Sequence, residues 1–169
     1  MAISLQTLPN MVRIASIKTD TDSTSVTISN INASRDDVLL LTFNTTNPAD
    51  SKTIYHLYFN GDSTDTNYYT QYMLGNGSTL SSDRENASVV GAATASQTLA
   101  CTVYIYVSPS GIIKFLSLVN RDDSSSVKVL TRTGVYTQTV TGISSITITG
   151  SNANSIGSGT VIELWKLRR

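Results

Sequence analysis

The chain has 169 residues, with 12 Lys and Arg balancing 12 Asp and Glu, so it lacks the basic footprint of a nucleic-acid binder. At this length folding buries roughly 70% of the unfolded surface, enough for a core without disulfides or metals, and with Cys101 as the one cysteine an intrachain disulfide is excluded. Charged residues are 14% of the chain against about 25% in an average soluble domain, and no run reaches the roughly 20 apolar residues of a membrane span; neither nucleic acid nor membrane is expected as a partner.

Residues 1–10 have neither the basic start nor the apolar run of a secretory signal. They read as an arm ordered only against a partner, and residues 11–169 read as one domain. No window holds the i, i+3, i+4, i+7 apolar spacing of a helix over three turns. Period-two segments rich in β-branched and aromatic residues recur instead. In chain order they are Val12–Ile17, Ser25–Ile31, Val38–Asn44, Thr53–Asn60, Tyr68–Met73, Thr98–Val107, Ile112–Asn120, Val127–Tyr136, Ile143–Thr149 and Thr160–Leu167. Each is expected to have one wet and one dry face. The separators are turn chemistry. Asn60-Gly61-Asp62 supplies the positive φ of a tight reversal, and Ser108-Pro109-Ser110-Gly111 reads as a hairpin loop. Asn120–Ser124 and Gly150–Asn154 read as polar loops. The weakly patterned stretch is Leu74–Gln97, a long loop in which Ala87–Ala95 fits a small-residue edge strand or one helical turn. Some ten short strands of this kind predict an all-β fold: an antiparallel β-sandwich, jelly roll first, with another Greek-key sandwich left open and an up-and-down barrel second.

Catalytic inventory is thin. His56 is the sole histidine, so any His-dependent base, triad or zinc cluster would have to use it. It sits mid-strand in Tyr55-His56-Leu57-Tyr58-Phe59, which reads as packing. Cys101 lies in an apolar run and reads as a small hydrophobe. No phosphate-binding, dinucleotide or Gly-x-Ser-x-Gly motif occurs, and no cofactor is assigned. Asp20 with Asp22, and Asp62 with Asp65, are spaced like adjacent oxygen ligands. Asp62 and Asp65 are the calcium candidate, although calcium takes about six to eight oxygens and the EF-hand spacing is missing. The same residues are ordinary turn formers. Tyr68, Tyr69 and Tyr72 crowd one segment. Alternate burial would set Tyr69 on one face and Tyr68 with Tyr72 on the other, while exposed they would make a stacking platform. The candidate interaction surface is these three tyrosines with the terminal Arg168 and Arg169. Trp165 reads as core or inter-subunit packing.

Three segments together carry a resemblance. They are Tyr58-Phe59-Asn60-Gly61-Asp62 followed by Asn67-Tyr68-Tyr69-Thr70-Gln71-Tyr72; Gly75-Asn76-Gly77-Ser78; and Ile143–Ile148, a Gly/Ser/Asn loop, then Gly159-Thr160-Val161-Ile162-Glu163-Leu164-Trp165. Ile28-Ser29-Asn30-Ile31 before Val38–Leu41 keeps the same order. This string resembles small jelly-roll virion structural proteins of tailed bacteriophages. It departs from them at its end, where Trp165-Lys166-Leu167-Arg168-Arg169 replaces a Leu-Tyr-Gly-like stop. The resemblance implies a non-enzymatic capsid decoration (cement) protein, or a tail or baseplate component. It implies a homo-oligomer, with trimers common, docked on the major capsid protein or on tail proteins. The location would be the virion, after synthesis in the host cytoplasm, which single-cysteine usage suits. A carbohydrate-binding module is the alternative, carried by the tyrosine cluster, and a hydrolase using scattered acids is the third reading.

Overall fold

Alternation of apolar and polar side chains settles most of the chain into strands, because a period of two puts every second residue on the same sheet face. A computed structural model describes residues 11–76, 79–123 and 126–167. In chain order its strands are β1 (Met11–Lys18), β2 (Ser25–Ile28), β3 (Ala33–Ser34), β4 (Val38–Thr46), β5 (Thr53–Phe59), β6 (Tyr68–Asn76) and β7 (Thr79–Glu85). They continue with β8 (Val89–Ala93), β9 (Thr98–Val107), β10 (Ile113–Asp123), β11 (Ser126–Tyr136), β12 (Gly142–Ile143), β13 (Ile146–Gly150) and β14 (Val161–Leu167). All pairings among them are antiparallel.

An eight-stranded sheet runs β1-β14-β4-β9-β10-β11-β6-β7, and a four-stranded sheet runs β2-β13-β5-β8. A plan emerges when β6, β7, β10, β11 and the two-residue pair β3–β12 are set aside. The remaining strands pair first with last: β1 with β14, β2 with β13, β4 with β9, β5 with β8. That is one long antiparallel ribbon rolled up so that successive pairs fall alternately in the two sheets. This winding is the jelly roll, so the architecture placed first from the sequence is the one observed. Two inserted hairpins, β6–β7 and β10–β11, then widen the sheet beyond β9.

The core lies between the sheets. Leu39, Leu41 and Phe43 of β4, Val103 and Ile105 of β9, and Ile162 and Leu164 of β14 face Tyr55, Leu57 and Phe59 of β5 and Ile146 and Ile148 of β13, all buried. Each such side chain contributes about 1.5–3 kcal/mol on burial.

Three expectations need correction. The described residues form fourteen strands rather than about ten. Leu74–Gln97 is no long loop: it holds the end of β6 and all of β7 and β8. β7 is exposed along nearly its whole length, so no dry face marks it in sequence, and β8 is the small-residue edge strand, buried throughout. Asn120–Asp123 belongs to β10 and pairs with β11 as far as Asp123 against Ser126, so the polar reversal lies beyond it. The Asn60-Gly61 turn is as expected, with φ of 55° and 76°. Residues 1–10, Arg168 and Arg169 lie outside the described residues.

Candidate functional site

The outer faces of the two sheets differ in chemistry. On the small sheet, Thr27, Thr147 and Thr149 point out beside Ser25, and the Thr27 and Thr147 hydroxyls meet at 2.9 Å. Ile54, His56 and Tyr58 of β5 share that face, which is therefore mixed. The outer face of the large sheet carries many apolar side chains among threonines and amides. Its residues follow from register, each strand offering alternate positions: Val38, Leu40, Thr42 and Asn44 on β4, and Tyr106, Tyr104, Thr102 and Ala100 on β9. β10 adds Lys114, Leu116, Leu118 and Asn120, and β11 adds Val135, Thr133, Thr131 and Val129. Tyr69, Gln71 and Met73 come from β6, and Trp165, Glu163 and Val161 from β14. Lys114 and Glu163 are the charged residues among these positions. Tyr104 is 46% exposed, Leu118 43%, Met73 54% and Val129 59%, and Leu80 of β7 extends the same face by pairing with Gly75. Scattered exposed apolar residues are normal; a continuous sheet of them marks a contact surface.

The face has relief. A depression of about 210 Å³ is lined by Val38, Tyr104, Tyr106, Lys114, Leu116 and Thr133 above the buried Ile105 and Phe115. A broader trough of about 560 Å³ runs over Thr42, Asn44, Thr102, Leu118, Asn120 and Val129. A further recess of about 590 Å³ lies by β3 and β12. There Asn60 donates to the Gly142 carbonyl and accepts from Ser144 at 2.8 Å, so its amide is already used in joining the loops.

The sequence-level candidates fall elsewhere. Asp62 is a structural acceptor. Its carboxylate takes hydrogen bonds from Thr64 N at 2.9 Å, Asn67 Nδ2 at 2.7 Å and Tyr136 Oη at 2.9 Å. Asp65 accepts from Tyr58 Oη at 3.2 Å. No group of three or more His, Cys, Asp or Glu stands together among the described residues, and the calcium candidate gains no third acidic ligand. Tyr68 is fully buried. Its hydroxyl donates to the Asp62 carbonyl at 2.7 Å and accepts from Phe59 N at 3.0 Å, which removes it from the interaction surface. Tyr72, half-buried, lies under the Arg132 guanidinium at 4.6 Å. Tyr69 alone of the three is exposed, at 43%, so the alternation expected of this segment holds while the platform does not.

His56 is half-buried and stacks on Tyr58 at 5.8 Å; burial lowers its pKa. Burial pushes the Cys101 thiol well up from its usual value. Arg132, buried inside the sandwich edge, holds Glu85 at 2.7 Å. Its Nε and the Thr70 hydroxyl have no hydrogen-bond partner among the described residues. Trp165 lies on the outer face, with Arg13 over its ring at 5.8 Å.

Sequence reasoning missed the outer face although a signal was present. Val38-Leu39-Leu40-Leu41, Val103–Val107 and Ile113–Val119 are apolar at both parities. Near-continuous runs of that kind belong to strands covered on two sides; burial alternates along β4, β9 and β10 as expected, with one exposed and one buried face, but the exposed face carries apolar side chains where polar ones were expected.

Fold and face define a jelly-roll β-sandwich with an enlarged sheet and an outer surface rich in apolar side chains. No family model matches the chain, and no curated protein matches it. It is similar in structure to a toad ovary galectin in complex with thio-digalactose, at 9% identity and a TM-score of 0.36, over 83% of this chain and 98% of that one. It is similar to a marine alginate lyase from Aplysia kurodai, at 6% identity and a TM-score of 0.38, over 94% and 81%. It is also similar to the tripod from the baseplate of bacteriophage Tuc2009, at 10% identity and a TM-score of 0.27, over 94% and 64%. Likenesses this distant carry no argument about what the chain does.

Proposed function

We propose that this chain is a non-enzymatic structural protein of a tailed-phage particle, a capsid decoration protein that binds the head lattice and works by contact. One observation carries the contact reading: the outer face of the large sheet is broad and rich in exposed apolar side chains, with few charges from β14 to β6, and no set of catalytic groups converges on it among the described residues. A jelly roll hosts many functions, so the fold adds nothing to this choice; the virion setting rests on the sequence resemblance. The physical logic is that docking on a lattice needs wide complementary area with a desolvated centre. Tyr104, Leu116 and Leu118 would supply that centre.

The test is attachment. Particles assembled without the protein are incubated with wild type or Leu118→Asp, and bound protein is measured after sedimentation. Wild type is expected to sediment with particles, and the variant to lose binding by about tenfold or more, the effect of a charge placed in an apolar interface centre. A wild-type protein that never sediments with particles sinks the proposal. The alternative, a tail-associated carbohydrate- or receptor-binding module, draws support from the exposed rings of Tyr104 and Tyr106. A glycan array that Tyr104→Ala silences would favour it over the first reading.

A further inference from the structure

We infer that in free solution the first occupant of the large outer face is a second copy of this chain, packed face to face about a two-fold axis and displaced when that face docks on a particle; this rests on the contact reading above. Area comes first. From β14 to β6 the face spans six strands. At the usual strand spacing and rise, with side-chain width, that is about 30 Å by 27 Å, or about 800 Å². A standard stable interface buries about 800 Å² on each partner.

Charge is the second argument. From β14 to β6 the face presents one cation, Lys114, and one anion, Glu163, while Arg13 and Lys18 of β1 and Arg84 of β7 stand at its two margins; Glu163 is held by Arg13 of its own chain, and no ion pair to Lys114 is formed among the described residues. A partner of strong net charge would want a face of the opposite sign. A single plus and a single minus suit an isologous contact, in which each charge meets its opposite in the other copy.

The register locates the axis. Lys114 pairs with Tyr106, which pairs with Val38. Glu163 pairs with Thr42, which pairs with Thr102. Midway between those two rows, and midway between β14 and β10, lies the Leu40–Tyr104 pair. A two-fold axis in the plane of the face, through that pair and normal to the Lys114–Glu163 line, sets Lys114 of each copy on Glu163 of the partner subunit. The same operation packs Leu40 and Tyr104 against their mates. It also sets Trp165 between Val38 of the partner subunit and Tyr106 of the partner subunit, on the rim of the small depression.

Sedimentation velocity across a concentration series tests this, with variants at the exposed Lys114 and the half-buried Glu163. Wild type is expected to dimerise, with Trp165 emission shifting to the blue on association. Lys114→Glu puts like charges opposite each other and is expected to weaken the dimer about tenfold. Glu163 also holds Arg13 at 2.7 Å, so the diagnostic is rescue: Lys114→Glu with Glu163→Lys restores association. A wild type that stays monomeric overturns the inference, as does a dimer indifferent to Lys114→Glu or unrescued in the double variant. The particle-sedimentation assay reads the proposed function separately. A monomer that still binds particles refutes the dimer and leaves that function standing.

Discussion

Asp62 shows how one side chain can look like a ligand and serve as a fastener. It follows the Asn60-Gly61 reversal and collects donors from Thr64, Asn67 and Tyr136, while its own carbonyl receives the Tyr68 hydroxyl. The motif Asn-Gly-Asp followed by tyrosines is thus a device for pinning the β5–β6 connection, with the Tyr68 and Tyr136 rings 4.8 Å apart. Burial raises the Asp62 pKa, but the hydrogen bonds from Thr64, Asn67 and Tyr136 outweigh it and the net shift is downward from 3.8. Burial, with the hydrogen bond to Asp62 and its charge, pushes the Tyr136 hydroxyl up to about 12. A carboxylate held below its unfolded value contributes stability that is full above pH 3.8 and is lost as pH falls through the folded pKa. Asp62→Ala should therefore cost about 1–3 kcal/mol, chiefly the penalty for leaving the buried Tyr136 hydroxyl unmatched. Urea melts at neutral pH would show that loss, and the variant should lose less further stability than wild type on acidification below pH 3.8. An unchanged midpoint would mean the network is ornamental. The residue types of this network were legible in the sequence. Its purpose was not, because Tyr136 arrives from a strand 74 positions away.

At the scale of elements, the inserted hairpins decide the character of the molecule. β10 and β11 extend the sheet past β9, and their inner face is closed by the ring of Phe115 lying over Gly134. A Cβ at Gly134 would run into that ring. The ring itself is held by Phe59 at 5.9 Å and is 3% exposed, so it cannot swing away cheaply. Gly134→Ala should cost about 1–3 kcal/mol, as overpacking does. Gly75→Ala, on the open outer face with only the Val129 carbonyl at 3.8 Å, should be neutral or slightly stabilising because it lowers unfolded-state entropy. Thermal melts of the two variants side by side check the contrast, and equal effects would contradict the packing described. The strand identity of β10 and β11 was plain from their β-branched runs. β7 was not, since a strand wet on both faces carries no alternation.

For the molecule as a whole, the rolled ribbon makes nearly every stabilising contact non-local. β1 closes against β14, with Met11 opposite Leu167, so the first strand waits for the last. Loop-closure entropy is then lost before burial rewards it. Refolding is expected on the millisecond-to-second scale of β-sandwiches rather than in microseconds. Trp165, between Arg13 of β1 and Leu40 of β4, is a natural fluorescence probe of ribbon closure. Stopped-flow refolding complete within the dead time would contradict this picture.

Composition and period were enough to determine an all-β sandwich, most of its strands, its tight Asn-Gly turn and the poverty of its catalytic inventory. These depend on neighbours along the chain, where a period of two and a positive φ are local properties. Which faces meet which was decided only in three dimensions. Tyr68 went inside because its hydroxyl donates to the Asp62 carbonyl and accepts from the Phe59 amide. Tyr104, Leu116 and Leu118 became one surface because β4, β9 and β10 align in register. A sheet face is made by strands distant in sequence, so the both-parity apolar runs of β4, β9 and β10 could signal a second apolar face, but only the pairing decided that they form one surface.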